Sequence, residues 1–145
     1  MGNTILILLA LMLGIVLFGC DFQGTQRTYP TASNFDLYTI HDLKGGNFTS
    51  GNFNVEGYVV KIYTCPQCPQ DASCKPCMKD NIVLSENNDL LEAYSLTENE
   101  LVVFSNNTGQ FKLGGKYRFS ITIGDRKTTG EPINDIELIG YDSIG

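Results

Sequence analysis

Four cysteines crowd into 13 residues of this chain, as Cys65-Pro66-Gln67-Cys68 and Cys74-Lys75-Pro76-Cys77. The spacing C-x2-C-x5-C-x2-C supports three kinds of chemistry. The first is a pair of disulfides. An antiparallel hairpin centred on Asp71 sets Cys65 opposite Cys77 and Cys68 opposite Cys74. Opposed residues in such a ladder have Cα atoms about 4.5–5.5 Å apart, within disulfide reach. The same register sets Tyr58 against Leu84, Val59 against Val83 and Val60 against Ile82. The second is a metal site. Two Cys-x-x-Cys knuckles can supply the four thiolates of a tetrahedral zinc or iron centre, here Cys65, Cys68, Cys74 and Cys77. The third is a redox dithiol of the Cys-x-x-Cys type. Such motifs usually open a helix that lowers the thiol pKa, whereas Cys65 follows a strand and precedes a Pro-rich loop.

Few other residues are equipped for chemistry. His41 is the only histidine. It could act as a general base, but its place beside a glycine-rich turn fits an ordinary surface residue. No nucleophile elbow, zinc-protease helix, dinucleotide fingerprint or phosphate loop occurs, so no catalytic residue is assigned. Tyr58, Phe104, Tyr117, Phe119 and Tyr141 could form a stacking face for bases or sugars, or fill a barrel interior.

The fifth cysteine, Cys20, carries a different signal. Residues 5–18 form an apolar run of 14, too short for the roughly 20 residues of a spanning helix but suited to a signal-peptide core. The run ends in Leu17-Phe18-Gly19-Cys20, which resembles the lipobox of bacterial lipoproteins. The resemblance implies a diacylglyceryl thioether on Cys20 and cleavage just before it. Residues 1–19 are then the signal peptide, and the mature protein is lipid-anchored to the cell membrane, facing the periplasm or cell exterior. The segment ahead of the run departs from the pattern, since residues 1–4 carry no Lys or Arg. Export favours the disulfide reading of the other four cysteines, with the thiolate site, zinc above all, as the alternative.

All 16 acidic and 10 basic residues follow Cys20, so the mature net charge is −6. An acidic domain lacks the cationic footprint that nucleic-acid phosphates require, and nucleic acid is excluded as a partner. The expected partners are the membrane, through the lipid, and an unidentified protein or saccharide ligand. About 125 mature residues suffice for one core.

Along the chain, residues 20–35 read as the lipidated cysteine and a flexible tether, lacking apolar periodicity. Residues 36–145 read as the folded domain. Its first segment suggests a short helical turn, followed by turn glycines near 45–51. Strands are expected at 53–64, with a bulge or bend at Gly57, and at 81–85, 100–105, 116–123 and 135–141. The 116–123 segment alternates strictly, with Tyr117, Phe119, Ile121 and Ile123 on one side. Residues 88–95 are the only expected helix, and 124–134 a polar loop. Val55-Glu56-Gly57-Tyr58-Val59-Val60 and Leu113-Gly114-Gly115-Lys116-Tyr117-Arg118-Phe119 resemble strand motifs of the OB-fold. The resemblance implies an all-β, small five-stranded OB-like barrel, with a small β-sandwich as the alternative. Residues 106–115 are too short and glycine-rich for the helix OB-folds usually carry there. The expected role is a non-enzymatic binding or structural module.

Overall fold

The structure, a computed structural model, describes residues 29–46, 48, 50–70, 73–94, 96–125 and 135–145. Cys20, the signal segment and Asp71 lie outside the described residues, as does most of the expected 124–134 loop.

The described chain is mostly β. In order come β1 (Leu37–Tyr38), α1 (Ile40–Gly45), β2 (Gly51–Tyr63), β3 (Asn81–Ser85), β4 (Glu100–Phe104), a 3-10 turn (Thr108–Gln110), β5 (Lys116–Ile123) and β6 (Ile136–Ser143). The five longer strands close into a ring in the order β2-β3-β4-β6-β5, with β5 returning to β2. The ring is well sealed except between β4 and β6, where a single parallel pair, Phe104 with Glu137, joins the strands. The sixth strand, β1, was not anticipated. It adds in parallel to β2, Leu37 beside Asn54 and Tyr38 beside Val55.

Alternation decides what fills the ring. Tyr117, Phe119, Ile121 and Ile123 of β5 point inward and join Val55, Val59, Ile82, Leu84, Leu101, Val103, Ile136 and Leu138 in one core. Phe119 is fully buried and is among the largest side chains that are. At the end where β4 begins, Ile40 and Leu43 of α1 complete the core. This helix starts at Thr39, whose hydroxyl accepts from the Asp42 amide at 3.0 Å. It is fastened by Lys44, whose ammonium donates to the carbonyls of Thr97 (2.7 Å) and Glu100 (3.0 Å).

The bulge of β2 does not fall at Gly57. The ladder between β2 and β3 shifts between Val59 and Lys61 instead. One extra residue there lets both Val59 and Ile62 face the core, which strict alternation forbids at a separation of three. Gly57 serves another purpose. A side chain there would meet the Ser85 carbonyl at 3.0 Å and the Ile40 methyl at 3.4 Å, so its absence admits α1.

The expected hairpin register is also corrected. Tyr58 pairs with Ser85 and Val59 with Leu84, and past the bulge Lys61 pairs with Val83, Ile62 with Ile82 and Tyr63 with Asn81. The ladder is therefore displaced by one residue, then by two, from the register centred on Asp71. Burial of one face, together with the bulge, sets this register.

Of the expected helix at 88–95, the described residues 88–94 are not helical. The chain after β3 instead turns back as a strap across β2 and β3. Leu91 donates its amide to the Val60 carbonyl at 3.1 Å, at the bulge. Lys61 donates its ammonium to the carbonyls of Leu91 and Glu92. Every residue of β3 is buried, on the core side and on the strap side alike.

The largest departure from expectation lies at the N-terminus. Residues 29–35, placed in the tether by their composition, are docked on the barrel. Pro30 accepts from the Tyr141 amide at 3.1 Å, and the Ala32 amide donates to Asp142 at 3.2 Å. The segment thus runs along β6, and Gly140 makes room for it, since a Cβ there would lie 2.6 Å from the Thr31 carbonyl. Beside it, the buried Asn54 amide donates to the carbonyls of Ser33 (2.8 Å) and Phe35 (3.0 Å). Its oxygen accepts from the Ser120 hydroxyl at 2.6 Å, which in turn accepts from the Ser33 amide at 2.7 Å. Every bond in this small network is satisfied, as a buried polar cluster requires.

Candidate functional site: the four-cysteine loop

The loop that joins β2 to β3 leaves the ladder at Tyr63 and re-enters at Asn81. Its base is pinned by side chains. Asp80 accepts the Cys65 amide on its carboxylate at 2.8 Å, and its carbonyl accepts from the Ser105 amide at 3.0 Å. The hydroxyls of Thr64 and Thr108 meet at 2.9 Å. Asn81 donates its side-chain amide to the Lys79 carbonyl at 2.9 Å. Lys79 pairs with Glu137 at 2.5 Å and lies 5.8 Å from the centre of the Phe104 ring.

Above that base the four cysteines stand in two pairs. Cys65 faces Cys77 and Cys68 faces Cys74, each pair with sulfurs at disulfide distance and Cα atoms 5.9 Å apart. The loop itself keeps the cysteines opposed even though the adjoining ladder does not follow the register from which that opposition was argued. Most of the loop is exposed, and Met78 at its end is 60% exposed. Among its described residues none is a buried apolar side chain. Among the described residues, no group of three or more His, Cys, Asp or Glu side chains converges as metal ligands.

An aromatic corner flanks the loop. The Tyr63 hydroxyl lies 3.4 Å from the Cys77 sulfur. Its ring meets Tyr94 of the strap edge-on, with centroids 6.3 Å apart. Tyr94 donates its hydroxyl to the Asn81 side chain at 2.9 Å, and the Lys61 ammonium lies 5.3 Å from its ring centre. Partial burial raises the Tyr94 hydroxyl above its ordinary 10.0, opposed by the bond to Asn81 and helped by the neighbouring Tyr63.

The other candidates fall elsewhere. His41 is exposed at the start of α1, its amide bonded to Glu86 at 2.8 Å and its ring 3.9 Å from Glu98. Both are carboxylate contacts at the surface. The five aromatics divide. Tyr117 and Phe119 are buried and Tyr141 packs against them, interlocked with Phe111 at centroid distances of 4.9–5.7 Å. They fill the barrel. Tyr58 and Phe104 are half-buried and sit apart, each beside a lysine. The five therefore make no common stacking face. A cavity of about 400 Å³ opens between α1 and the ring, lined among others by Tyr38, Asp42, Glu56, Glu86 and Lys116. Glu56 there is engaged by Arg118 at 2.7 Å.

Sequence reasoning found the cysteines and missed what surrounds them, namely Tyr63, Tyr94 and the docking of Tyr29 on Ser105 and Asn106. A Tyr-Pro pair inside an otherwise polar tether was the available signal for the last. No protein-family model, curated protein or solved structure matches this chain.

Proposed function

We propose that the chain is a lipoprotein, processed before Cys20 and anchored by lipid at the outer side of a cell membrane. Its domain is an OB-like barrel serving as a non-enzymatic binding or structural module for a protein or saccharide ligand. The single observation that carries this reading is the two-by-two opposition of four cysteines in an exposed loop, each pair with Cα atoms 5.9 Å apart. Exposed pairs of this kind persist as disulfides where the surroundings are oxidising. The lipobox-like tetrad ending at Cys20 is the route by which a chain reaches such a compartment. Two or more acyl chains on Cys20 give a stable anchor, at about 0.8 kcal/mol per buried CH₂. The OB-like assignment draws support from five strands closing into a ring with one weak seam, between β4 and β6.

The test is metabolic labelling with a fatty acid, followed by membrane fractionation. Wild-type protein takes the label and sediments with membranes. Cys20→Ser takes none and accumulates as the longer precursor, because the thioether needs the thiol. An unlabelled wild type removes the anchor from the account, and four thiols released only by a chelator move the cysteine loop to the metal reading.

A further inference from the structure

We infer that the four-cysteine end of the barrel, around Met78 and Tyr94, rests on the lipid headgroups of the membrane that holds Cys20. The inference depends on the anchor proposed above and adds an orientation to it.

The first ground is chain length. Eight residues separate Cys20 from Tyr29, the first of the described residues and one that is bonded to the barrel. Nine Cα–Cα steps span at most about 30 Å even when fully extended. A domain of this size has a radius of gyration of about 13 Å. The barrel is therefore held within roughly its own diameter of the bilayer, by the end that carries Tyr29.

The second ground is which end that is. The Tyr29 hydroxyl accepts from the Asn106 amide at 2.6 Å, and the Ser105 hydroxyl donates to it at 3.4 Å. Ser105 is bonded through its amide to Asp80, which also holds the Cys65 amide. Tyr29 and the cysteine loop thus share one end of the ring.

The third ground is chemistry. The opposite end, around α1, carries Asp42, Glu86 and Glu98, with Lys116 beside them, while Lys44 is buried on backbone carbonyls. An anionic leaflet repels that end. The cysteine end sets Lys75 and Lys79 against Asp80 and Glu137, and its loop sequence adds Asp71 between the inner cysteines. It also exposes Met78 (60%), Tyr94 (43%) and the prolines at 66, 69 and 76. Exposed apolar groups, an amphipathic tyrosine and lysines with long stems suit the headgroup layer.

The chain contains no tryptophan, so one introduced residue reports alone. Full-length, acylated Met78→Trp and His41→Trp would be reconstituted in phosphatidylcholine–phosphatidylglycerol vesicles, with and without brominated acyl chains. Both sites are exposed, at opposite ends of the ring. The inference expects Met78→Trp to shift to the blue and lose most of its emission to the brominated lipid, while His41→Trp keeps its own. Equal quenching of the two, quenching of neither, or preferential quenching of His41→Trp overturns the orientation while the acyl mass on Cys20 is intact. Absence of that acyl mass overturns the anchor itself, and the orientation with it.

Discussion

The docked N-terminal segment and the four-cysteine loop are both irregular and both lie on the barrel, yet they are held by opposite means. Residues 29–35 carry no covalent restraint. They are fixed by Tyr29 on Asn106, Pro30 on Tyr141 and the buried Asn54–Ser120–Ser33 network. The loop has almost no burial, and its shape is held by two cysteine pairs over a short hydrogen-bonded base. The difference teaches that the segment's order is tied to the fold of the barrel, because its partners are barrel residues. On the disulfide reading the loop's shape is tied to the oxidation state of its sulfurs, since among the described residues the two cysteine pairs are the main ties across it above Asp80.

The sharpest way to break the comparison is to damage the barrel alone. Phe119→Ala empties the centre of the aromatic cluster and should cost about 3–5 kcal/mol. Chemical denaturation should give that loss, and hydrogen exchange should show residues 29–35 loosening with the strands. Reduction is the complementary attack. A disulfide closing a loop of this size contributes about 3 kcal/mol, so reductant should lower the unfolding midpoint accordingly. The far-ultraviolet dichroism of the barrel should stay in place, with the local opening seen by exchange concentrated in the loop. Collapse of the whole domain on reduction would contradict the division.

Asn54→Ala attacks the segment. It strands the carbonyls of Ser33 and Phe35 and the Ser120 hydroxyl, at about 2 kcal/mol, and should release residues 29–35 in hydrogen exchange while the loop is unchanged. The smallest effect is expected at Tyr94. Because its folded pKa is raised, its contribution is in place below about pH 10 and is lost as the pH climbs through the folded value. Alkaline titration should therefore loosen the strap over β2 and β3. Tyr94→Phe should abolish that step, visible as the loss of one tyrosinate transition, at about 1 kcal/mol for the missing bond to Asn81.

Legibility in the sequence followed the strength of local patterns. Residues 81–85 and 116–123 were read at the observed bounds of β3 and β5, because a β-branched run and strict alternation leave little choice. Asp89-Leu90-Leu91-Glu92-Ala93 has helical composition, but Val60 and Lys61 capture its carbonyls and amide, and tertiary contact overrides propensity. The helix that does form, α1, had its signal in Thr39 three residues before Asp42. The register between β2 and β3 was out of reach because the bulge at Val60 follows from burial of Val59 and Ile62 together, a fact of the assembled core. The docked segment was missed for a similar reason. Its bonds are backbone groups answered by Asn54, Ser120 and Tyr141, and backbone groups leave no trace in composition.

The measurement that bears most directly on the account is peptide mapping, without reduction, of the protein extracted from membranes. The account predicts an acylated N-terminal peptide beginning at Cys20, together with the cross-links Cys65–Cys77 and Cys68–Cys74. Links within each Cys-x-x-Cys, or four free thiols that appear only after chelation, would contradict it.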